Sequence, residues 1–395
     1  MVLRAPPPSL QPDKYKLPDD NAAERWQTYE CTLVTPLFGG GVQAGEVDRK
    51  MPVRASAIRG QLRFWWRLLA HQEWKLGDIA SHEAAIFGGV AKETKASKVF
   101  LKISQVATPQ TMPPETAKEL SRYALFPLES SQASGPVARE GITFQLGISM
   151  PKLDETAQKQ VHEALRWWAT FGGIGGRTRR GLGKIQLAGL PPITAEQASA
   201  AGCRLVTSGD YASATEAWKK AIEKLKNFRQ GTGQGQGRNP GQGNRPGRSR
   251  WPEPDAIRRY TGKNANGKHE PVHPAGNVFP RAALGMPIIF EIRGPGEPSK
   301  SSLQPLGKER MASPVILQPY PSGNNRWRAA ALLLPNDHVW QTPLELKGTN
   351  APTIPAGQWW PNDARQRTDL ATKIIPMNTR GDDPLTAFLK FFEGN

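Results

Sequence analysis

The sequence predicts an α+β fold in two domains. Three observations carry that prediction: the chain length, an ordered run of strand-like and helix-like hydrophobic patterns in the first half, and weaker strand patterns in the second. With 395 residues and roughly 150 residues per domain, two domains are expected. The natural divisions are a proline-rich, loose arm over 1–26, a first domain over 27–195 and a second over 205–395.

The first domain reads as follows. Thr28–Val34 (TYECTLV) alternates as a half-buried strand does. It ends at Thr35-Pro36-Leu37-Phe38 and runs into Gly39-Gly40-Gly41. Residues 57–70 are the clearest helix. On a helical wheel Ile58, Leu62, Trp65, Trp66 and Leu69 share one apolar arc, with Leu68 beside it, and Ser56 is the expected cap. Lys98–Val106 and Ile142–Ser149 read as second and third strands. Asp154–Phe171 is a second helix, with Ala157, Val161, Ala164, Leu165 and Trp168 at helical spacing, stopped by Gly172-Gly173. Lys184–Leu187 reads as a fourth strand. The order β-α-β-β-α-β is the ferredoxin-like split βαβ plan, shared with RRM-type RNA-binding domains.

In the second half, Ala212–Phe228 is helical in pattern, short strands are expected at Pro287–Arg293, Pro314–Gln318 and Ala329–Leu334, and Leu385–Phe392 closes with a helix. This is compatible with a second, degenerate α+β domain. Between them Gln230–Arg250 holds seven Gly, four Arg and no acidic residue. Such a composition buries too little apolar surface to fold alone, so a flexible basic loop is expected.

Charge narrows the function. Lys and Arg number 52 against 35 Asp and Glu, a formal balance of +17, which favours a polyanionic partner, nucleic acid or an anionic membrane. No stretch has the roughly 18 to 20 apolar residues of a spanning helix, and Met1–Lys16 has no apolar signal core, so a cytosolic protein without a membrane role is expected. Cys31 and Cys203 stand far apart and suggest neither a disulfide framework nor a zinc site.

Two groups of residues bear on binding. Arg59, Arg63 and Arg67, at i, i+4 and i+8, line one side of the first helix; Arg49–Ala70 contains no acidic residue to pair with them. The stripe reads either as a solvated face or as a row of phosphate contacts. The second group is the loop Gly172-Gly173-Ile174-Gly175-Gly176-Arg177-Thr178-Arg179-Arg180-Gly181-Leu182-Gly183-Lys184. Glycines allow positive φ and close backbone approach, free N–H groups form anion-binding concavities, and Arg177, Arg179, Arg180 and Lys184 add charge-assisted donors. The loop follows a helix and precedes a strand, the reverse of a dinucleotide or P-loop fingerprint; the remaining alternative is a merely flexible connection.

With these residues in view, the chain resembles the RAMP superfamily of CRISPR–Cas proteins, and within it the family of first subunits of the Cmr complex, the type III-B effector. The resemblance is carried by Thr35–Phe38 with Gly39–Gly41, by Arg54-Ala55-Ser56-Ala57-Ile58-Arg59-Gly60-Gln61-Leu62-Arg63-Phe64-Trp65-Trp66-Arg67, by Ala85-Ile86-Phe87-Gly88-Gly89, by the loop Gly172–Gly183, and by Arg281–Pro287 and Ser313-Pro314. The helix with Arg-Phe-Trp-Trp-Arg is fairly specific; the glycine-rich loop alone marks only the superfamily. The resemblance implies paired ferredoxin-like (RRM-like) domains in tandem, the second degenerate with long insertions. It also implies a place near the 3′ end of the guide (CRISPR) RNA, contact with target RNA and with other RAMP subunits of the Cmr complex, and no nuclease role. Arg54, Arg59, Arg63, Arg67, Gly172, Gly173, Gly175, Gly176, Arg177, Arg179, Arg180 and Lys184 are then the expected RNA-binding residues.

No catalytic residue, metal site or cofactor is expected. His71, His82 and His338 stand apart from any motif; His162, on the second helix, reads as a surface or satisfied position; and His269 with His273 lacks an evident third ligand. Asp382-Asp383 precedes a helix and fits N-terminal capping. Trp65, Trp66, Trp167 and Trp168 read as core, whereas some of Trp251, Trp340, Trp359 and Trp360 are expected in loops, free to stack on bases. Two alternatives stay open: a RAMP endoribonuclease that processes guide RNA precursors, using a His as general acid or base, and a single-strand binding module outside CRISPR.

Overall fold

The structure, a computed structural model, describes residues 26–41, 45–90, 94–112, 122–125, 137–243 and 246–394. Of the arm expected over 1–26 only Trp26 lies within them. The first half comprises β1 (Gln27–Leu33), α1 (Ala55–Gln72), α2 (Ile79–Phe87), β2 (Phe100–Ser104), β3 (Thr143–Ser149), α3 (Glu155–Phe171) and β4 (Ile185–Leu187). In space the strands run β2-β3-β1-β4, and every neighbouring pair is antiparallel. This order follows from the connections: each helical crossover returns the chain parallel to the strand it left, leaving a gap that an antiparallel strand fills. Along β1, Tyr29, Cys31 and Leu33 are buried while Thr28 and Glu30 are exposed, so only one face of the sheet enters the core.

The helices on that face pack through large aromatics. Trp65, Trp66, Trp167 and Trp168 are each at most 1% exposed. Trp65 and Trp167 lie 5.6 Å apart between ring centroids, and Phe171 lies 5.6 Å from Trp167. Helix α3 is capped by Asp154, whose side chain accepts from the Ala157 N–H at 2.8 Å. Ser56 does not cap α1: the helix starts at Ala55, and Arg54 occupies the cap position without a side-chain bond to the helix.

The second half contains β5 (Arg204–Tyr211), α4 (Ala214–Gln230), α5 (Glu253–Thr261), β6 (Ile288–Phe290), β7 (Ser301–Pro305), β8 (Val315–Gly323), β9 (Arg326–Leu333), α6 (Asp337–Trp340), β10 (Leu344–Lys347), α7 (Ala364–Thr372) and α8 (Pro384–Glu393). It forms two three-stranded antiparallel sheets, β8-β9-β5 and β6-β7-β10, the first with α4 packed on it. The molecule is therefore mixed α+β with antiparallel sheets. Strand β5 escaped the hydrophobic pattern because it is an edge strand: of its residues only Ser208 is buried.

The tract 230–250 differs from the flexible loop its composition suggests. Asn239 N–H bonds to Arg248 O, and Arg250 N–H to Gly237 O, each at 2.9 Å. The Arg250 guanidinium donates to Gly233 O at 2.7 Å, to Gln236 O at 3.2 Å and to Asn239 Oδ1 at 2.8 Å. Arg248 bonds Asp255, which is 4% exposed, at 2.8 Å. The described residues of the tract, which offer no large apolar side chain, are held here by guanidinium groups that satisfy loop carbonyls. The carboxylates beneath it are all paired: Glu297 with Arg258 at 3.0 Å, Asp255 with Arg258 at 3.0 Å and Glu253 with Arg281 at 3.0 Å.

The two halves share their cores. Phe38 and Leu182 pack into the core of the second half, and Ile316, Leu332 and Leu334 into that of the first. Gln318 on β8, 1% exposed, donates to Phe171 O, Gly172 O and Thr178 O at 3.1, 3.2 and 2.9 Å. Trp218 on α4 is fully buried, and its indole N–H donates to Arg180 O at 2.6 Å. Replacing Trp218 with Ala should cost about 3–5 kcal/mol, the usual loss for a large buried aromatic, and Trp218→Phe clearly less. Urea denaturation checks both; equal losses would mean that the hydrogen bond to Arg180 O, and not the buried ring area, dominates.

Candidate nucleic-acid interface

The loop between α3 and β4 is laid down on the extension of β1. Val34 N–H bonds to Lys184 O at 2.9 Å, Gly183 N–H to Pro36 O at 2.8 Å and Gly176 N–H to Phe38 O at 2.6 Å. The Thr35 hydroxyl, fully buried, donates to Gly181 O at 2.7 Å and accepts from Lys184 N–H at 3.0 Å. This contact has no room for side chains. Gly183 has φ +68°, and a Cβ there would lie 1.9 Å from Ile174 O; at Gly175, φ +75°, it would lie 2.6 Å from both Leu37 Cδ1 and Phe38 O. At Gly172 and Gly173 it would meet Trp168 Cδ1 at 2.3 Å and Gly183 O at 2.7 Å. These glycines were expected to let the backbone approach RNA. The backbone they approach belongs to their own chain, and the N–H groups of Gly176 and Gly183 are spent on it.

The basic residues of the loop divide into two kinds. Lys184, expected to reach RNA, is 1% exposed and donates its Nζ to Ala169 O and, at 2.6 Å, to Thr170 O. It closes the C-terminus of α3, whose last carbonyls lack helical donors. Burial pushes its pKa down to about 7. Arg179 donates to Ser313 O and lies over the Phe64 ring, 5.6 Å from its centroid, so it ties the loop to the second half. Arg177 and Arg180 are the other kind. Among the described residues their guanidinium groups have no hydrogen-bond or ion-pair partner, and the loop turns them toward like charges. Burial first, then the nearby Arg310, holds the Arg177 pKa down. Burial pushes Arg180 down to about 10, with Tyr123 opposing and Arg229 and Arg177 adding to the shift. Arg177 and Arg180 stay charged at neutral pH.

Arg229 and Arg310 had no signal in the sequence. Arg229 ends α4 and Arg310 lies in the turn before β8; only the joining of the halves brings them to the loop. The result is four guanidinium groups on three segments: Arg177 and Arg180 partly desolvated, Arg229 half-buried and Arg310 exposed, with Arg177 facing Arg310 and Arg180 facing Arg229 and Arg177. An unpaired, partly buried charge is costly, and a multivalent anion relieves that cost.

The stripe on α1 is different from its expectation. Glu83 on α2, with its side chain 8% exposed, pairs with Arg63 at 2.6 Å and with Arg67 at 3.3 Å. Arg59 donates to Val99 O at 2.8 Å, to Phe87 O at 3.4 Å and to Ser97 Oγ, and burial lowers its pKa. Arg54 pairs with Asp48 at 3.1 Å. The premise of a row without acidic partners fails, because the acid comes from the next helix and not from the same one. Trp251, Trp359 and Trp360 are at most 2% exposed and are core rather than stacking residues; Trp340 alone of that group is half-buried.

The titratable candidates have partners. The His162 ring lies 3.3 Å from the Tyr29 hydroxyl, and burial lowers its pKa. His269 pairs with Glu297, and His273 with Asp255 Oδ2 through its N–H at 2.9 Å and with Arg250 O through its ring at 3.2 Å. Asp383 caps α8, accepting from Leu385 and Thr386 N–H at 2.8 and 2.9 Å, and Asp382 binds Arg367 at 2.7 Å. Among the described residues no helix is long and apolar enough to cross a membrane.

Residues 30–186 match the model of the RAMP superfamily. No curated protein matches the sequence. Among solved structures, the chain is similar to Cmr1 from Pyrococcus furiosus in its apo form at 16% identity, over 79% of this chain and 88% of that one, with a TM-score of 0.46. It is similar to a chain of the type III-B Cmr-beta complex bound to cognate target RNA at 10% identity, over 89% and 99%, with a TM-score of 0.43.

The buried lysine makes a distinguishing test. Its folded pKa lies below the ordinary value of 10.5, so proton uptake opposes folding: the stabilising contribution is present above the ordinary value and is lost as the pH falls toward about 7. The stability of the wild type relative to Lys184→Met should therefore rise between those limits, by at most about 1.4 kcal/mol per pH unit. RNA affinity of the folded variant should match the wild type. Denaturant unfolding across pH, with binding measured alongside, checks this; a loss of affinity with a flat stability difference would return Lys184 to the RNA.

Proposed function

We propose, on the premise that residues 30–186 form a RAMP superfamily domain, that the chain is a non-catalytic RNA-binding subunit of a type III-B CRISPR (Cmr) effector in the cytoplasm. In this reading it holds the 3′ region of the guide RNA, helps capture target RNA in antiviral defence and docks against neighbouring RAMP subunits. The observation that carries it is the group Arg177, Arg180, Arg229 and Arg310, unpaired among the described residues and crowded at the junction of the halves. Guanidinium forks suit phosphates, and a net charge of +17 draws a polyanion to them.

The architecture supports the same reading. Elements β5-α4-β8-β9-α8 repeat the β-α-β-β-α run of the first half, and the order β8-β9-β5 corresponds to β2-β3-β1. We read the second half as a ferredoxin-like unit without its fourth strand, interrupted by the β6-β7-β10 insertion, so that the two halves are tandem copies of one plan. The junction of the two copies is where the arginines meet.

The processing-nuclease alternative needs a positioned proton shuttle. Its best candidate, His162, faces Tyr29, and burial favours its neutral form. Purified protein, with or without magnesium, should bind single-stranded RNA and leave it intact. Arg180→Gln and Arg177→Gln should each weaken binding and reduce the slope of log affinity against log salt by about 0.7, the value for one lost contact to a single strand, whereas Arg63→Gln should leave the slope unchanged. Fluorescence anisotropy at a series of salt concentrations reads this. Unchanged slopes in both loop variants would remove the arginines from the RNA, and cleavage abolished by His162→Ala would replace the binding role with the enzymatic one.

A further inference from the structure

A second concavity lies apart from the arginine group. A cleft of about 190 Å³ opens between the start of β5, α6, the turn after Trp360 and the first turns of α7 and α8. Its walls include Trp340, Trp360, Arg204, Asn362, Arg367 and Asp383. The volume is below the roughly 300–1,000 Å³ of sites for drug-sized ligands, so the cleft encloses only the ring system of a ligand, whose remaining groups lie at its rim.

The chemistry of the walls narrows that occupant. Trp340 is half-buried and held rigidly: it stacks on Trp359 with centroids 5.6 Å apart and planes 17° apart, and its indole N–H donates to Asn336 Oδ1 at 2.9 Å. Trp360 is 2% exposed, and its Nε1 has no hydrogen-bond partner. Arg204 is exposed and spends one nitrogen on Thr386 Oγ1 at 2.8 Å, leaving the rest of its fork available. Arg367 is held in place by Asp382 at 2.7 Å and by Asn362 O at 2.7 Å. Asp383 uses only Oδ1 in capping α8, so Oδ2 remains as an acceptor. A rigid indole wall with an amide and a carboxylate acceptor suits a planar heterocycle with N–H donors, and a guanidinium with free donors at the rim suits an anionic group attached to it.

We propose that this cleft binds one nucleotide, its base stacked against Trp340 and its phosphate on Arg204. The register of the sheet supports a link to RNA. Arg204 pairs across to Leu333, and Leu333 to Val315, so Arg204 lies about 10 Å from Val315 across two strand spacings. Val315 follows Ser313, whose carbonyl receives Arg179. The cleft and the glycine-rich loop thus meet the sheet at the same end, through different residues. The nucleotide is either free or a terminal or unstacked residue of a bound strand, and the two sources are separable.

The test uses the full chain with adenosine monophosphate, inorganic phosphate and a short single-stranded RNA carrying a photoreactive uridine. Calorimetry should show the nucleotide binding at least tenfold more tightly than phosphate. Trp340→Ala should weaken nucleotide binding by about tenfold, in line with loss of one base–aromatic stack, and Arg204→Gln, at an exposed position, by a similar factor. Trp340→Ala removes no charge and should leave the salt slope set by Arg177 and Arg180 unchanged, so failure here is distinct from failure of the arginine site. Crosslinking of the RNA to the peptide holding Trp340, without binding of free nucleotide, assigns the cleft to a strand; binding of free nucleotide without a crosslink assigns it to the monomer. Phosphate binding as tightly as the nucleotide, nucleotide binding that survives both substitutions, or neither nucleotide binding nor a crosslink, overturns the proposal.

Discussion

The contact between the glycine-rich loop and the extension of β1 is the constraint on which the rest depends. Two stretches of backbone, 34–40 and 172–184, approach within hydrogen-bond distance along their length, and at Gly175 and Gly183 even a methyl group would overlap the neighbouring carbonyl. Such proximity requires residues with no side chain and free access to positive φ. Once made, it determines the direction of everything attached to the loop. Arg180 presents its carbonyl to Trp218, Thr178 its carbonyl to Gln318, and Arg179 reaches Ser313. This turn of chain joins the second half to the first together with the shared core contacts of Ile316, Leu332 and Leu334.

The treatment of charge separates support from function. In the interior of the second half every buried carboxylate has a guanidinium, often in two-point geometry, as where Arg258 meets both oxygens of Glu297 at 3.0 Å. Glu83 does the same for Arg63 and Arg67. A chain that pairs its buried carboxylates this consistently, because an unpaired buried charge costs several kcal/mol, leaves the partly buried Arg177 and Arg180 without acids among the described residues. The contrast within one molecule is stronger evidence for an anionic partner than the overall excess of positive charge, which is spread over surfaces of both kinds.

Much of the first half was legible. The strands β1 to β4 and the helices α1 and α3 follow hydrophobic periods that burial then enforces, with ends displaced by one or two residues: β1 runs Gln27–Leu33 where Thr28–Val34 was expected; the short helix α2, which carries Glu83, was not read. Helix α4, β8, β9 and α8 were legible for the same reason. Edge strand β5 was not, since an edge strand with one buried residue has no period to read. The tract 230–250 misled because composition measures apolar burial, while its order comes from Arg248 and Arg250 bonding to carbonyls and carboxylates. Trp251, Trp359 and Trp360 misled because an irregular sequence context does not imply exposure.

The sequence by itself determined the classes of residue available to the site and the local periods that make its elements: glycines in a run, arginines beside them, aromatics on helix faces, a surplus of positive charge. These are properties of near neighbours, and they survive without knowledge of the fold. Only the tertiary structure decided which of the basic residues are free. Lys184 is taken by the end of α3, Arg179 by Ser313, Arg63 and Arg67 by Glu83 from another helix, while Arg229 and Arg310 arrive from distant segments to stand with Arg177 and Arg180. The physical reason is that a charge's partner is set by distance in space and by the solvent it loses, and neither is encoded in spacing along the chain.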